Sequence, residues 1–292
     1  MKSTTIVNAT RIIFVVMILF FVGDFIRFQA RVRSFLNPNR VFPSERRTKE
    51  EHFALSECRS FTDSDFHRFF SRVENRRICK AISDFDGQTL DQILANGIDL
   101  NQQEQNGLSV LFWAFLEGNL AAFEKLLEHG SNPDLKISDD FILPTNTLGF
   151  EFVGWKDDTV LFAILRNLCY RHRFLNSALM HTQNPKQIDV TGATLLHVYF
   201  SFPACRNKDM VTQLIDVGVD LDAKDQNGAT AMKLAINWGY PELCLLLLDA
   251  GANPSIPDQE GKNVYDVVNK PTIQMTDEKL AAFLSLKARL GK

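Results

Sequence analysis

A 33-residue spacing of glycines constrains this 292-residue chain more than any other feature. Gly97 and Gly130 are 33 residues apart, as are Gly218 and Gly251, and Gly228 and Gly261. The neighbouring letters repeat with them. Ile93-Leu94, Leu126-Leu127, Leu214-Ile215 and Leu247-Leu248 stand at one offset before their glycines. A chain with one apolar stripe per fixed unit does not gather those stripes into a single closed core. It buries each stripe against the next unit, so the expectation is a stack of repeats with a long exposed surface.

The unit itself can be read from its residues. Ser109, Thr159, Thr194 and Thr230 stand where a first helix should begin, with hydroxyls suited to its free N–H groups. Gly118 and Gly239 punctuate the step to a second helix. That helix carries apolar residues at helical spacing, such as Phe123, Leu126 and Leu127. Gly97, Gly130, Gly218 and Gly251 follow the last apolar pair, where a helix end favours a left-handed residue. A polar turn such as Asp225-Gln-Asn-Gly228 then has the chemistry of a hairpin tip. A lone helix pair of this kind cannot bury its apolar face, so neighbours must stack.

These letters resemble the ankyrin family. Gly228-Ala-Thr230-Ala-Met-Lys-Leu-Ala235-Ile-Asn-Trp-Gly239 followed by Leu245-Leu-Leu-Leu248-Asp-Ala-Gly251-Ala-Asn253-Pro254 is similar to that family's G-x-T-P-L-H-x-A-A-x-x-G and L-L-x-x-G-A-x-P. Gly107-Leu-Ser109-Val-Leu-Phe-Trp-Ala114-Phe-Leu-Glu-Gly118 with Leu126-Leu127-Glu-His-Gly130-Ser-Asn132-Pro133 is the next clearest unit. Weaker copies open at Asp158-Thr159-Val-Leu-Phe162 and Gly192-Ala-Thr194-Leu-Leu-His197. The resemblance covers residues 75–290 and implies an all-α ankyrin-repeat solenoid of helix pairs with β-hairpin-like turns. Proline is missing from all four T-P-L-H-like positions, and Phe112, Phe162 and Lys233 stand where His197 keeps the histidine. The 36-residue step from Gly192 to Gly228 predicts a longer turn around Pro203–Asn207.

The repeat region is expected over residues 62–292, opening at the capping cluster Thr62-Asp-Ser-Asp65 and closing with a terminal cap helix over Asp277–Leu290. One insertion, residues 135–158, interrupts it with apolar, strand-like letters at Phe150, Phe152 and Trp155. Such a segment is either a covered part of the fold or a binding loop. Residues 27–61, Arg-rich with Asn37-Pro38 and Pro43, read as a basic linker.

Residues 1–26 read as a signal anchor or signal peptide. Ile12 to Val22 is an unbroken apolar run preceded by Lys2 and Arg11. As a helix it spans only about 17 Å against a hydrocarbon core of about 30 Å, and extending it to Ile26 includes Asp24. Cleavage has no clear small-residue site, so an uncleaved anchor over residues 12–26 is the first reading and a cleaved signal the second. Arg27, Arg31, Arg33 and Arg40 would hold the repeats on the cytoplasmic side, whereas the signal-like layout exports them. The expectation is a bacterial inner-membrane protein with a periplasmic repeat body and, as the alternative, a cytoplasmic-facing one.

Charge supports a split chain. Residues 1–50 hold nine Lys and Arg against three Asp and Glu, so an overall charge of −3 leaves −9 on the remainder. An acidic repeat body argues against nucleic acid as the partner. No nucleophile elbow, phosphate loop or metal-ligand spacing appears, the six histidines are scattered, and no cofactor is expected. The resemblance implies that His197 hydrogen-bonds locally. Cys244, inside an apolar stripe, reads as a small core residue, and Cys58 and Cys79 are a pairing that sequence cannot decide.

The expected activity is therefore non-catalytic binding of another protein. The resemblance places Trp113, Glu117, Arg166, Val198, Leu234, Asn237 and Trp238 on the concave face, and Phe150, Phe152 and Trp155 lie in the insertion. Of these, Trp113, Glu117, Phe150, Phe152, Trp155, Arg166 and Trp238 are the candidate partner-binding residues; aromatic side chains are favoured anchors. Some bacterial members of the family with this layout are immunity partners of secreted toxins, including phospholipase effectors. A scaffold or protector of an envelope enzyme is the alternative within the binding class, and a hydrolase the alternative outside it.

Overall fold

Two of the clearest repeats begin where a hydroxyl catches a free amide. Ser109 accepts from the Phe112 amide at 3.2 Å and starts α3, Val110–Glu117. Thr230 accepts from the Lys233 amide at 3.3 Å and starts α9, Ala231–Asn237. At the start of the stack the cap comes from further away. The first helix, α1 (Val73–Ser83), has no side-chain cap of its own. Glu104, 32 residues along the chain, reaches back to accept from the Arg72 amide at 3.4 Å. The same carboxylate accepts from the Ser71 amide and hydroxyl and from Asn75 Nδ2. Burial pushes this carboxyl up, but those hydrogen bonds outweigh it and hold it below its ordinary range.

The computed structural model describes residues 69–104, 107–143, 152–166, 168–201, 208–269 and 276–291. All of them fall in one unit, Leu55–Lys292. The apolar run Ile12–Val22, the basic linker, the capping cluster at Thr62–Asp65, Phe150 and the turn at Pro203–Asn207 lie outside the described residues. Among the described residues no helix is long and apolar enough to cross a membrane.

The described helices form six pairs. After α1 come α2 (Gly87–Leu94), then α3 with α4 (Leu120–Glu128). Next are α5 (Val160–Arg166) with α6 (Leu168–Leu179), and α7 (Leu195–Ser201) with α8 (Lys208–Asp216). The stack ends with α9 and α10 (Pro241–Asp249), then α11 (Val264–Val268) and α12 (Asp277–Leu290). First helices pack on first helices and second on second, giving two layers with the core between and within them. The first helices are the more apolar: every residue of α3 up to Leu116 is buried, as is every residue of α5 up to Leu165. Second helices bury one stripe, for example Ala122, Phe123, Leu126 and Leu127 of α4. Helix α12 buries only Leu286 and covers α10 and α11, as a terminal cap should.

Gly97, Gly130, Gly218 and Gly251 all have positive φ, between 68° and 95°, as expected of helix-ending glycines. Cys79 and Cys244 are free, buried thiols, and burial raises both well above the ordinary thiol value.

The insertion forms an antiparallel ribbon of β1 (Phe141–Leu143) and β2 (Phe152–Gly154), with Ile142 opposite Val153. It is hung from the repeat by two backbone bonds of 2.8 Å: Ile137 N–H to Asp158 O, and Asp157 N–H to Ile137 O. Asp157 has φ 64° and occupies the turn position held by left-handed Gly192 and Gly228 in the next two repeats. The insertion is thus an elongated hairpin finger of the third unit.

Candidate functional site

Hairpin fingers project from the junctions between repeats, and one device builds them. Asp189 Oδ1 accepts from the Thr191 and Ala193 amides at 2.8 and 3.0 Å. Asp225 Oδ1 takes the Asn227 and Ala229 amides, and Asp258 Oδ1 the Glu260 and Lys262 amides, each at 2.9 Å. The carboxylate closes its own turn, which is why Asp suits this position. Successive fingers are also bonded together: Gln226 N–H donates to Thr191 O at 3.0 Å, and Gln259 N–H to Asn227 O at 3.1 Å.

Below the fingers, three different side chains clamp one repeat to the next. His197 Nε2–H donates to Ala229 O at 2.9 Å, while its Nδ1 accepts from the Thr194 amide and hydroxyl. An Nδ1 that accepts from a backbone amide makes this a structural imidazole bonded locally, as expected, and burial lowers its pKa. Lys233 holds the equivalent position one repeat later. Its ammonium donates to Lys262 O at 2.9 Å, the counterpart of Ala229 O, and also pairs with Asp258. Lysine therefore keeps the inter-repeat bond that histidine makes. In the third repeat Phe162 takes the histidine position, and the clamp comes from Arg166, one turn later. The Arg166 guanidinium lies 5.7 Å from the Phe162 ring centroid. It pairs with Asp158 within its own repeat and with Asp189 of the next finger at 2.9 Å.

The Asp158 side chain is only 2% exposed, and its Oδ1 has no hydrogen-bond partner. Burial dominates its titration and raises the carboxyl to about 6, although Arg166 pulls the other way. Among the described residues, no group of three or more His, Cys, Asp or Glu side chains is placed to hold a metal ion.

The expected concave-face residues separate into two sets. Trp113 is not on an open face: it is fully buried, edge-on to Phe70 with centroids 5.3 Å apart. Its indole N–H donates to Ser83 Oγ at 3.1 Å, and the Ser83 hydroxyl donates to Glu117. Trp113 and Glu117 therefore tie the second repeat to α1. Arg166 is largely enclosed and committed to its two carboxylates, and Val198 is buried. Leu234 is half-buried, whereas Asn237 and Trp238 are exposed. Trp238, 53% exposed, ends α9 beside a turn held by Lys279, which donates to Gly239 O and lies over the Tyr240 ring.

On the fingers, Trp155 is 48% exposed, Ile188 49% and Val190 61%. Phe152 lies in β2, paired with Leu143. Ile188 and Val190 flank the turn aspartate, outside the helix positions to which the repeat pattern points. The signal was present in two apolar residues set around Asp189, where the next finger has Lys224 and Gln226. The structure thus leaves Trp155, Ile188 and Val190 exposed on successive fingers, and Trp238 exposed at a helix turn.

Comparison with known proteins agrees with this geometry. Residues 161–258 match the family model for ankyrin repeats, in three copies. An ankyrin repeat protein of Acanthamoeba polyphaga mimivirus is 24% identical over 193 residues, covering 59% of this chain and 25% of that protein. The chain thus spans about a quarter of that relative. Among solved structures, an ankyrin repeat domain from Acinetobacter baumannii AYE superposes with a TM-score of 0.56 at 22% identity, covering 73% of this chain and 97% of that one. A second ankyrin repeat protein gives a TM-score of 0.52 at 18% identity, covering 74% and 96%. The helical body is an ankyrin-repeat solenoid, a fold whose usual work is to hold another protein.

Proposed function

We propose that this chain is a non-catalytic protein-binding module, held at or exported across a bacterial inner membrane by its N-terminal apolar run. The observation that carries this reading is the division of labour among side chains. His197, Lys233 and Arg166 inside the stack are engaged in clamps between repeats, while large apolar side chains, Trp155 and Trp238, stand on its surface. Exposed aromatics on a rigid scaffold are suited to anchoring in a partner's pocket.

The more specific reading is an immunity protein that binds and neutralises a secreted toxin, such as a phospholipase effector acting in the envelope. It rests on the layout, a basic and apolar leader ahead of a repeat body. Co-expression with such an effector tests it. The reading predicts a stable complex and loss of toxicity, both weakened by Trp155→Ala. A complex that leaves toxicity intact would favour the scaffold alternative. Protease added to spheroplasts tests the location: digestion of the repeat body is expected, and full protection would place it in the cytoplasm.

A further inference from the structure

Helix α12 is apolar on two opposite faces. One face packs: Leu286 is buried, and Phe283 and Leu290 lie against the core. Two polar contacts fix the helix's rotation. Lys279 donates to Gly239 O at 2.9 Å near one end, and Arg289 pairs with Asp249 near the other. The outer face carries Leu280, Ala281, Leu284 and Ala288, all exposed, the two leucines by 45% and 56%. A helix that closes a repeat array is expected to keep it soluble with a polar outer face. Helices α4 and α8 have such a face: α8 exposes Lys208, Asp209, Thr212 and Asp216, and α4 exposes Glu124 and Glu128 beside Ala121. The outer leucines of α12 depart from that rule, and nothing within the stack uses them.

The charges on that face are ordered. At about 100° per residue, Asp277, Leu280, Leu284 and Lys287 fall within about 80° of arc. Asp277 opens this stripe and Lys287 closes it; both are exposed, and neither is in an ion pair among the described residues. Leu280 and Leu284 share one midpoint with Asp277 and Lys287, residue 282. A single two-fold axis at that midpoint therefore matches both pairs. An antiparallel copy sets Leu280 opposite Leu284 of the second copy and Asp277 opposite its Lys287, whereas a parallel copy sets like charge against like. We infer that the outer face of α12 is a self-docking surface, joining two copies of this chain in an antiparallel, two-fold pair. The antiparallel arrangement also places the acidic first turn of each helix beside the basic last turn of the other, in keeping with the helix dipoles. Outside residues 1–50 the chain carries −9, but α12 holds three cations to two carboxylates, so two such bodies meet there with least repulsion. A two-fold contact is closed, so assembly stops at two. A single 14-residue helix pair is about 21 Å long and buries less than the about 1,200 Å² of a stable interface, so the pair forms and separates with concentration.

The test is sedimentation equilibrium of the full chain in density-matched nonionic detergent, at protein concentrations up to about 0.2 mM. Wild type is expected in a reversible monomer–dimer equilibrium. Leu284→Glu should weaken association about tenfold or more and leave circular dichroism melting unchanged, because that side chain is exposed. Asp277→Lys and Lys287→Asp should each weaken it about tenfold, since each turns two attractive pairs into two repulsive ones. An equal mixture of those two variants should recover association to within about threefold of wild type, because the mixed pair sets lysine opposite aspartate at both ends. A helix merely damaged by either substitution would not recover on mixing. A wild type that stays monomeric throughout, a dimer that Leu284→Glu leaves intact, or a mixture that associates no better than its components would overturn the inference. So would a monomer whose α12 gains hydrogen-exchange protection only from a different protein. None of these results bears on the protein-binding reading, since Trp155 and Trp238 lie outside α12.

Discussion

The buried carboxylate of Asp158 makes the sharpest energetic prediction. The perturbation is Asp158→Asn, which keeps the shape and removes the titration. At about 1.4 kcal/mol per pH unit, the rise from 3.8 to about 6 corresponds to about 3 kcal/mol. The sign follows from the direction. Between about pH 4 and 6 the folded chain holds a proton on Asp158 that the unfolded chain has released, so this group's contribution to stability grows as pH falls through that window. The charged groups acting on it are Arg166, Asp189 and Asp140. His197 works against it in an overlapping range: burial lowers its pKa, so the unfolded chain binds the extra proton and its contribution to stability is lost as pH falls. The pH profile of one protein therefore mixes opposed terms, the lowered Glu104 carboxyl among them, while the difference between wild type and variant removes the terms of His197 and Glu104. Urea unfolding followed by circular dichroism, from pH 7.5 to 4.5, should show wild type gaining about 2 kcal/mol relative to Asp158→Asn as pH falls. A difference constant to about 0.5 kcal/mol, or one growing toward high pH, would refute the reasoning.

Other substitutions probe the stack directly. A Cβ at Gly107 would lie 2.3 Å from Ser138 N, whereas one at Gly97 meets nothing within 4 Å, and both have positive φ. Gly97→Ala should therefore cost about 1 kcal/mol and Gly107→Ala clearly more, read from thermal melting. Leu247 is fully buried but Leu248 only partly, so Leu247→Ala should cost about 2–5 kcal/mol and Leu248→Ala less, in denaturant midpoints. His197→Phe should cost about 1–3 kcal/mol by leaving the Ala229 carbonyl without its donor, and Lys at that position should recover part of the loss, as Lys233 does naturally.

The helical layout was legible because it is local and periodic. The caps at Ser109 and Thr230 and the left-handed glycines are fixed by residues within a few positions of each other. The strand-like letters of the insertion became the ribbon of Phe141–Leu143 with Phe152–Gly154. Trp113 was misplaced because a repeat pattern describes repeats, whereas Phe69, Phe70 and Ser83, which enclose it, lie before the first regular copy. Arg166 reads as a partner-binding residue of the concave face because one of its carboxylates, Asp189, is 23 residues away and meets it only when repeats stack. Leu247 and Leu248 share one offset from Gly251, and only the helix rotation decides which faces inward. Lys233 reads as a departure from the histidine position until Lys262 O is seen in front of it.

Hydrogen exchange with and without a bound protein partner tests the central claim most directly, because it reports which backbone amides become protected. Protein binding through the fingers predicts new protection at residues 136–140, 153–158, 186–191 and 224–227, with the outer helices α4, α8 and α10 unchanged. Protection confined to those outer helices, with the fingers still exchanging freely, would contradict it.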